Sequence, residues 1–412
     1  MDLKFEINNL VELLAKEGLT ADNGTNIGLF DENWIKTQAN LLEYLKSFGF
    51  ETKVDSYGNV LSTVTGTESP DEIILSGSHI DTVVNGGKLD GHLGIVAAIL
   101  AVKMLHQKYG APLRTLQIVA FAEEEGSRFP NSFWGSKTFT GSADFESVRN
   151  LLNGDGVRFE DAMKNAGLSF VPDGGADMSK IKAFIEIHIE QGGVLEAENK
   201  TIGIVECITG IKRYDITLRG QANHAGTTPM NLRKDPMYGF AKIMAGHTEK
   251  INAEGSPAVT TFGKIVASPN TSNVINASVN FTIDMRHTDK AILDRLADEM
   301  EEYIRQSAQG LGLECQIIQS IDEAPTYMNK NLVDLTHEVC VAQNTIFKHM
   351  HSGAGHDSQI VADYCPTSMI FVPSVGGISH SPYEHTDIED LVKGVETLAG
   401  MMYELAYNKK PF

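Results

Sequence analysis

Basic residues are the first shortage. Against 54 Asp and Glu the chain sets only 34 Lys and Arg, a net charge of −20 at pH 7. Such a balance repels polyanions, so nucleic acid and anionic membrane surfaces are excluded as partners. Cysteine is the second shortage. Cys207, Cys315, Cys340 and Cys365 form no CxxC and no metal-ligand spacing, which excludes a disulfide scaffold and reads as four reduced core cysteines in a reducing compartment. Long apolar runs are also missing. None approaches the ~20 residues that span a bilayer, and the opening MDLKFEINNL has no apolar signal core. A cytoplasmic location is expected. There is no internal repeat and no low-complexity tract, so solenoids and disordered tails are set aside as well.

What is present is an ordinary globular core. The 412 residues are 42% hydrophobic, enough for two or three packed domains. Apolar residues recur at helical spacing over 5–17 and 32–48, then the pattern changes to strand, helix, strand: Ile73 to Ser78, Gly94 to His106, Thr115 to Ala122. That alternation predicts an α/β layer, a mixed and mostly parallel sheet flanked by helices. From Lys212 the order becomes βαββαβ, the split βαβ of a ferredoxin-like α+β unit. We read residues 211–328 as an insertion, with 1–210 and 329–412 forming the first domain.

Ligands of parallel sheets gather at the carboxyl ends of strands, and the chemistry-bearing residues fall there. His79 and Asp81 close the run IILSGSHID, two residues apart and so on one face. His79 suits a metal, with Asp81 holding its other ring nitrogen. Asp90 follows a Gly-Gly turn at the mouth of a helix, where a plain N-cap is the competing reading. Glu123-Glu124-Glu125 ends the strand LQIVAFA, and three carboxylates there are costly without a cation nearby. A solvated acidic turn is the alternative. In IKAFIEIHIEQGG, His188 shares a face with Phe184, Glu186 and Glu190, either as a ligand or as a satisfied core histidine. Gln191 at the following corner could offer an amide to a substrate.

Eight motifs in register carry a resemblance: HIDTVVNGGKLDG, FAEEEGSRFP, IEIHIEQG, QANHAGTTPM, SPNTSNVINA, DMRHT, MHSGAGHD and GGISHSP. From about Leu41 to Tyr407 the chain resembles the amidase/carbamoylase branch of the dinuclear aminoacylase and carboxypeptidase metallohydrolases. The resemblance implies two divalent ions per subunit, Mn or Zn, with Co or Ni also compatible with an N/O donor set. It implies His79 and His188 on one ion, Glu125 and His380 on the other, and Asp90 bridging them. Glu124 would be the general base and Asp81 the carboxylate behind His79. Arg286 would pair with a substrate carboxylate, while Asn273, Gln191, His224 and the backbone at Gly353 and Gly355 would supply hydrogen bonds. His224, in the insertion, would reach the active site of the second subunit of a homodimer and stabilise the oxyanion. His356-Asp357 reads as a helix start. The expected activity is hydrolysis of a terminal ureido group on a small carboxylate, either allantoate or an N-carbamoyl-L-amino acid, with a non-catalytic binding relative as the contrasting class. One departure stands out: the loop Thr25-Asn26-Ile27-Gly28-Leu29 occupies the place where members commonly carry Thr-Arg-Leu.

Overall fold

The computed structural model describes residues 1–410, which form two compact units: Met1–Glu206 with the chain from Tyr327 onward, and Cys207–Thr326. In the first, helices Leu3–Ala15 and Glu32–Lys46 precede a nine-stranded sheet, in which the two-residue strand Thr326–Tyr327 pairs with Ile202–Ile208 at one edge and eight longer strands make up the rest. These are β1 (Glu51–Val54), β2 (Val60–Val64), β3 (Ser69–His79), β4 (Arg114–Phe121), β5 (Ile181–Ile189), β6 (Ile202–Ile208), β7 (Phe347–Ser352) and β8 (Thr367–Val372). The order is β1-β2-β4-β3-β5-β8-β6, with β7 on β6. The centre, β4-β3-β5-β8, is parallel, and the outer pairings β1-β2, β2-β4 and β8-β6 are antiparallel.

Sheet centres are covered on both faces, and their sequences say so. All of β5 except Lys182 is buried, and all of β8. The alternation in IKAFIEIHI therefore separates two buried faces: Ile185, Ile187 and Ile189 on one, Phe184, Glu186 and His188 on the other. Helix His92–Tyr109 is apolar nearly all round for the same reason, since it touches both β3 and helix Ile388–Ala406. A buried Glu186 is tolerated because Ser78 Oγ (2.7 Å), Ser358 N (3.0 Å) and Ser358 Oγ (2.7 Å) all donate to it.

In the second unit, strands Gly210–Arg219, Ser278–His287 and Glu314–Glu323 pair antiparallel, with Val259–Thr261 and Ile265–Ser268 on the far side of Ser278–His287. Helices Pro236–Glu254 and Lys290–Gly310 cover one face, giving the ferredoxin-like arrangement. Two details differ from expectation. The second strand of the βαββαβ order is two short strands, Val259–Thr261 and Ile265–Ser268, broken at Phe262-Gly263-Lys264, where a glycine interrupts the ladder. Cys315 is only partly buried, because its strand lies at the sheet edge. No disulfide joins the four cysteines. Among the described residues no helix is long and apolar enough to cross a membrane.

Candidate metal centre

Parallel pairing brings four strand ends together. His79 is the last residue of β3 and lies opposite Phe121 of β4; the Glu run starts two residues later. His188 is the penultimate residue of β5, opposite Phe371 of β8, and the loop after β8 carries His380.

Each imidazole is aimed by its other nitrogen. His79 Nδ1 donates towards Asp81, whose Oδ1 is 3.2 Å and whose carbonyl is 3.0 Å away. His188 Nδ1 donates to the Ile189 carbonyl at 2.9 Å. Both Nε2 lone pairs are thereby turned to Asp90 Oδ1, at 3.5 Å and 3.2 Å. The second oxygen of Asp90 faces elsewhere: Oδ2 is 3.3 Å from His380 Nε2, which stands 3.4 Å from Glu125 Oε1. One carboxylate thus serves two donor sets. Asp90 does not cap the helix behind it; Gly91 holds that position at φ 67°, with no side-chain cap. Only glycine fits there, since a Cβ would come within 2.4 Å of the His79 ring.

Three groups of donor atoms, His79/Asp90/His188, His79/Glu124/Glu125 and Asp90/Glu125/His380, each lie within 4.8 Å of one another. Donors sharing one ion at bond lengths of about 2.0–2.2 Å stand roughly 3–3.5 Å apart, the spacing of Asp90 from His79, His188 and His380 and of His380 from Glu125. The electrostatics agree. Burial opposes charge on His79 and His188, yet Asp81 and Asp90 raise the first and Asp90 the second above the ordinary imidazole range. Asp90 and then Glu125 lift His380 to about 10. Burial would push Asp90 up, but His188, His380 and His79 hold it well below the usual carboxylate range. The carboxylates therefore favour positive charge at this place, and divalent cations fit that demand.

The Glu run divides its labour. Glu123 turns inwards, accepting from Trp134 N at 2.9 Å and from Gly126 N, and burial followed by the Asp81 charge pushes it well above the carboxylate range. Glu125 faces His380. Glu124 is likewise raised, first by burial and then by Glu125, Asp357 and Asp81 against the pull of His79. Asp81 organises this end: besides His79 it accepts the backbone N–H of Glu124 (2.9 Å) and Glu125 (3.3 Å). Sequence spacing pairs Asp81 with His79 alone; its grip on the Glu run required the register of β3 beside β4.

Gln191 donates its amide to Asp90 Oδ2 at 2.8 Å and has positive φ. The loop with Gly353 and Gly355 is pinned by Ser352 Oγ, which meets Ala354 N and His356 Nε2. His356 starts the short helix Asp357–Val361 and packs its ring 4.6 Å from that of His188. In the second unit, His224 and Asn273 are neighbours on a small ribbon, where Val274 pairs with His224 and Ala225 N donates to the Asn273 carbonyl at 3.0 Å. Gly226 N donates to His224 Nδ1 at 3.0 Å, which leaves the proton on Nε2, exposed. Arg286 is not with them. It sits opposite Ile211 at the other end of its strand, about 26 Å along eight residues, and its Nε donates to Asp284 Oδ1 at 2.8 Å. Two participants escaped sequence reasoning: Ser379 and Glu384, flanking His380. Their only signal was an acid inside a Gly/Ser/His loop.

A family model described as peptidase family M20/M25/M40 matches residues 75–404. The chain is 46% identical over 403 residues to the allantoate amidohydrolase of Escherichia coli (strain K12), covering 98% of both chains. It is 35% identical to the N-carbamoyl-L-amino-acid amidohydrolase of Pseudomonas sp. (strain NS671), over 94% of this chain and 95% of that one. Among solved structures, an amidase of the hydantoinase/carbamoylase family from Burkholderia multivorans superposes with a TM-score of 0.92 at 30% identity, over 99% of this chain and 98% of the other.

Proposed function

The chain belongs to the peptidase family M20/M25/M40, and on that footing we propose that it hydrolyses the terminal ureido group of allantoate, yielding ureidoglycine, ammonia and carbon dioxide. It is a hydrolase of C–N bonds. The observation that carries the reading is Asp90, whose two oxygens address separate donor sets beside Glu124.

His79, His188 and Asp90 would hold one divalent ion and Asp90, Glu125 and His380 the other, Mn or Zn being the best candidates for this thiolate-free set. When bound, such a pair polarises the ureido carbonyl and brings the pKa of water between them towards neutrality. Glu124 takes the proton from the attacking water and returns it to the leaving nitrogen. Burial, then Glu125, Asp357 and Asp81, raise the pKa of Glu124 against the pull of His79. Asp81 keeps His79 and the Glu124 backbone in place throughout. Arg286, braced by Asp284, offers its fork to the substrate carboxylate. Gln191 and the backbone of Gly353 and Gly355 orient the substrate by hydrogen bonds.

His224 Nε2–H is a donor suited to a developing oxyanion. His224, at the opposite end of the strand from Arg286, is assigned to the active site of the second subunit of a homodimer. Exposed Met230, Leu232 and Tyr238 in this unit supply apolar surface for that association. Four cysteines without a disulfide suit a cytoplasmic setting.

The similarity to N-carbamoyl-L-amino-acid amidohydrolases and the missing arginine in Thr25–Leu29 make those substrates the second reading. Ammonia release is measured from allantoate and from a panel of N-carbamoyl amino acids, and amino-acid release from N-acyl amino acids, after stripping and reloading with Mn or Zn. Allantoate should give the highest kcat/KM. A higher value for an N-carbamoyl amino acid reverses the assignment.

A further inference from the structure

We propose that Glu384 is a positioning residue for the bridging carboxylate, a strap that ties the loop of Asp90 to the loop of His380 and without which the second ion is held weakly. The inference rests on reading the site as a two-metal centre. It goes beyond that reading by assigning a task to a residue that binds no ion.

Glu384 reaches Asp90 by two routes. Its Oε1 accepts from the backbone N–H of Leu89 at 2.9 Å and of Asp90 at 3.1 Å. Its Oε2 lies 3.0 Å from Ser379 Oγ, and that hydroxyl lies 2.9 Å from Asp90 Oδ2. Backbone and side chain of Asp90 are thus gripped by one glutamate, which is itself turned back by its N–H to the Ser381 carbonyl at 3.0 Å. Between these anchors sits His380.

His380 needs such an anchor. It adopts φ 53°, a conformation costly for a residue with a Cβ, and its side chain is 49% exposed. Its ring meets Asp90, Glu125 and the Gln191 amide rather than a packed wall. The separation that matters, between Asp90 Oδ2 and His380 Nε2, is therefore set by how the two loops are joined. Glycine makes the join possible: a Cβ on Gly87 would stand 2.0 Å from Glu384 Oε1, so the carboxylate occupies space that a side chain at residue 87 would need.

The prediction concerns one half of the centre. His79 and His188 are aimed by Asp81 and by the Ile189 carbonyl, independently of Glu384. Their ion keeps two imidazoles aimed without Glu384 beside Asp90 Oδ1 and should survive loss of the strap, while the ion of Asp90 Oδ2, His380 and Glu125, whose two loops Glu384 joins, should not. Removing a partner behind a metal ligand typically weakens binding about 10–100-fold.

The test is a titration of the metal-stripped chain with Mn alone, by calorimetry and by metal analysis after dialysis. Wild type should take two ions. Glu384→Ala should keep the tighter one and bind the second about 10–100-fold more weakly. Glu384→Gln should restore binding to within about threefold, because its amide oxygen still accepts both N–H groups and its NH2 meets Ser379 Oγ. Gly87→Ala, which displaces the carboxylate without deleting it, should behave like Glu384→Ala and carries the test if that variant does not fold by circular dichroism. Wild-type affinity for both ions in Glu384→Ala or Gly87→Ala overturns the proposal, as does a Gln variant no better than Ala. A wild-type chain that takes no second ion overturns the two-metal reading and the strap with it.

Discussion

Acid should loosen the helix Pro236–Glu254 through a single side chain, His247. This residue is 1% exposed, its Nε2 lies 3.2 Å from Thr260 Oγ1, and its Nδ1 is buried with no hydrogen-bond partner. Burial, and then the charge of Lys250, lower its pKa from 6.5 to about 4. The unfolded segment therefore binds a proton that the folded one refuses. Stability contributed by the neutral ring is complete above the unfolded value and is lost as the pH falls from about 6.5 towards 4. The shift is worth about 3 kcal/mol in full at 1.36 kcal/mol per unit, and about 2 kcal/mol of it falls between pH 7 and pH 5. Tryptophan fluorescence would not see this, since Trp34 and Trp134 both belong to the other unit. Amide hydrogen exchange of residues 236–254, read by mass spectrometry and corrected for the intrinsic pH dependence, is the appropriate assay. Protection should fall by about 2 kcal/mol in the wild type and stay nearly level in His247→Gln. Equal pH slopes in the two proteins would refute the argument.

Three further outcomes follow from the site and the core. Glu124→Gln should lower kcat for ammonia release from allantoate about 10²–10⁴-fold while metal content stays at the wild-type value; turnover within tenfold of wild type removes Glu124 from its role. Asp81→Ala orphans the N–H groups of Glu124 and Glu125 and frees His79 Nδ1, so a loss of about 3 kcal/mol in stability is expected with Mn affinity down about 10–100-fold. Thermal melts followed by tryptophan fluorescence, with metal titration, measure both. Burial pushes the thiols of Cys340 and Cys365 up to about 12 and about 11, so a thiol reagent at about pH 8 should leave both unlabelled until urea unfolds the chain, as peptide mapping would record.

The reach of sequence reasoning is clearest at particular residues. The periodicities before and after Lys212 contain the change from α/β layer to βαββαβ unit, because strand and helix periods are local properties. The charge balance argues against polyanionic partners, and the cysteine pattern against a disulfide scaffold, without any coordinates. His79, the Glu run and His188 are visible as polar groups at the ends of buried strands, where polarity without a purpose is expensive, and Asp90 as an acid at the mouth of a helix. His380 is different. In a Gly/Ser loop a histidine has no periodicity to be measured against, and only the resemblance to a family pointed to it.

Tertiary structure decided what converges. That Asp90 splits its oxygens between two donor sets, that Asp81 holds the Glu run as well as His79, and that Glu384 reaches back almost 300 positions to the Asp90 amide are all consequences of strand register and loop closure. So is the separation of Arg286 from His224 and Asn273, which share a unit but sit at opposite ends of one strand. Spacing along a chain reports which face a side chain occupies. It does not report which distant segment lies against that face, since that depends on how the parallel strands pack in register.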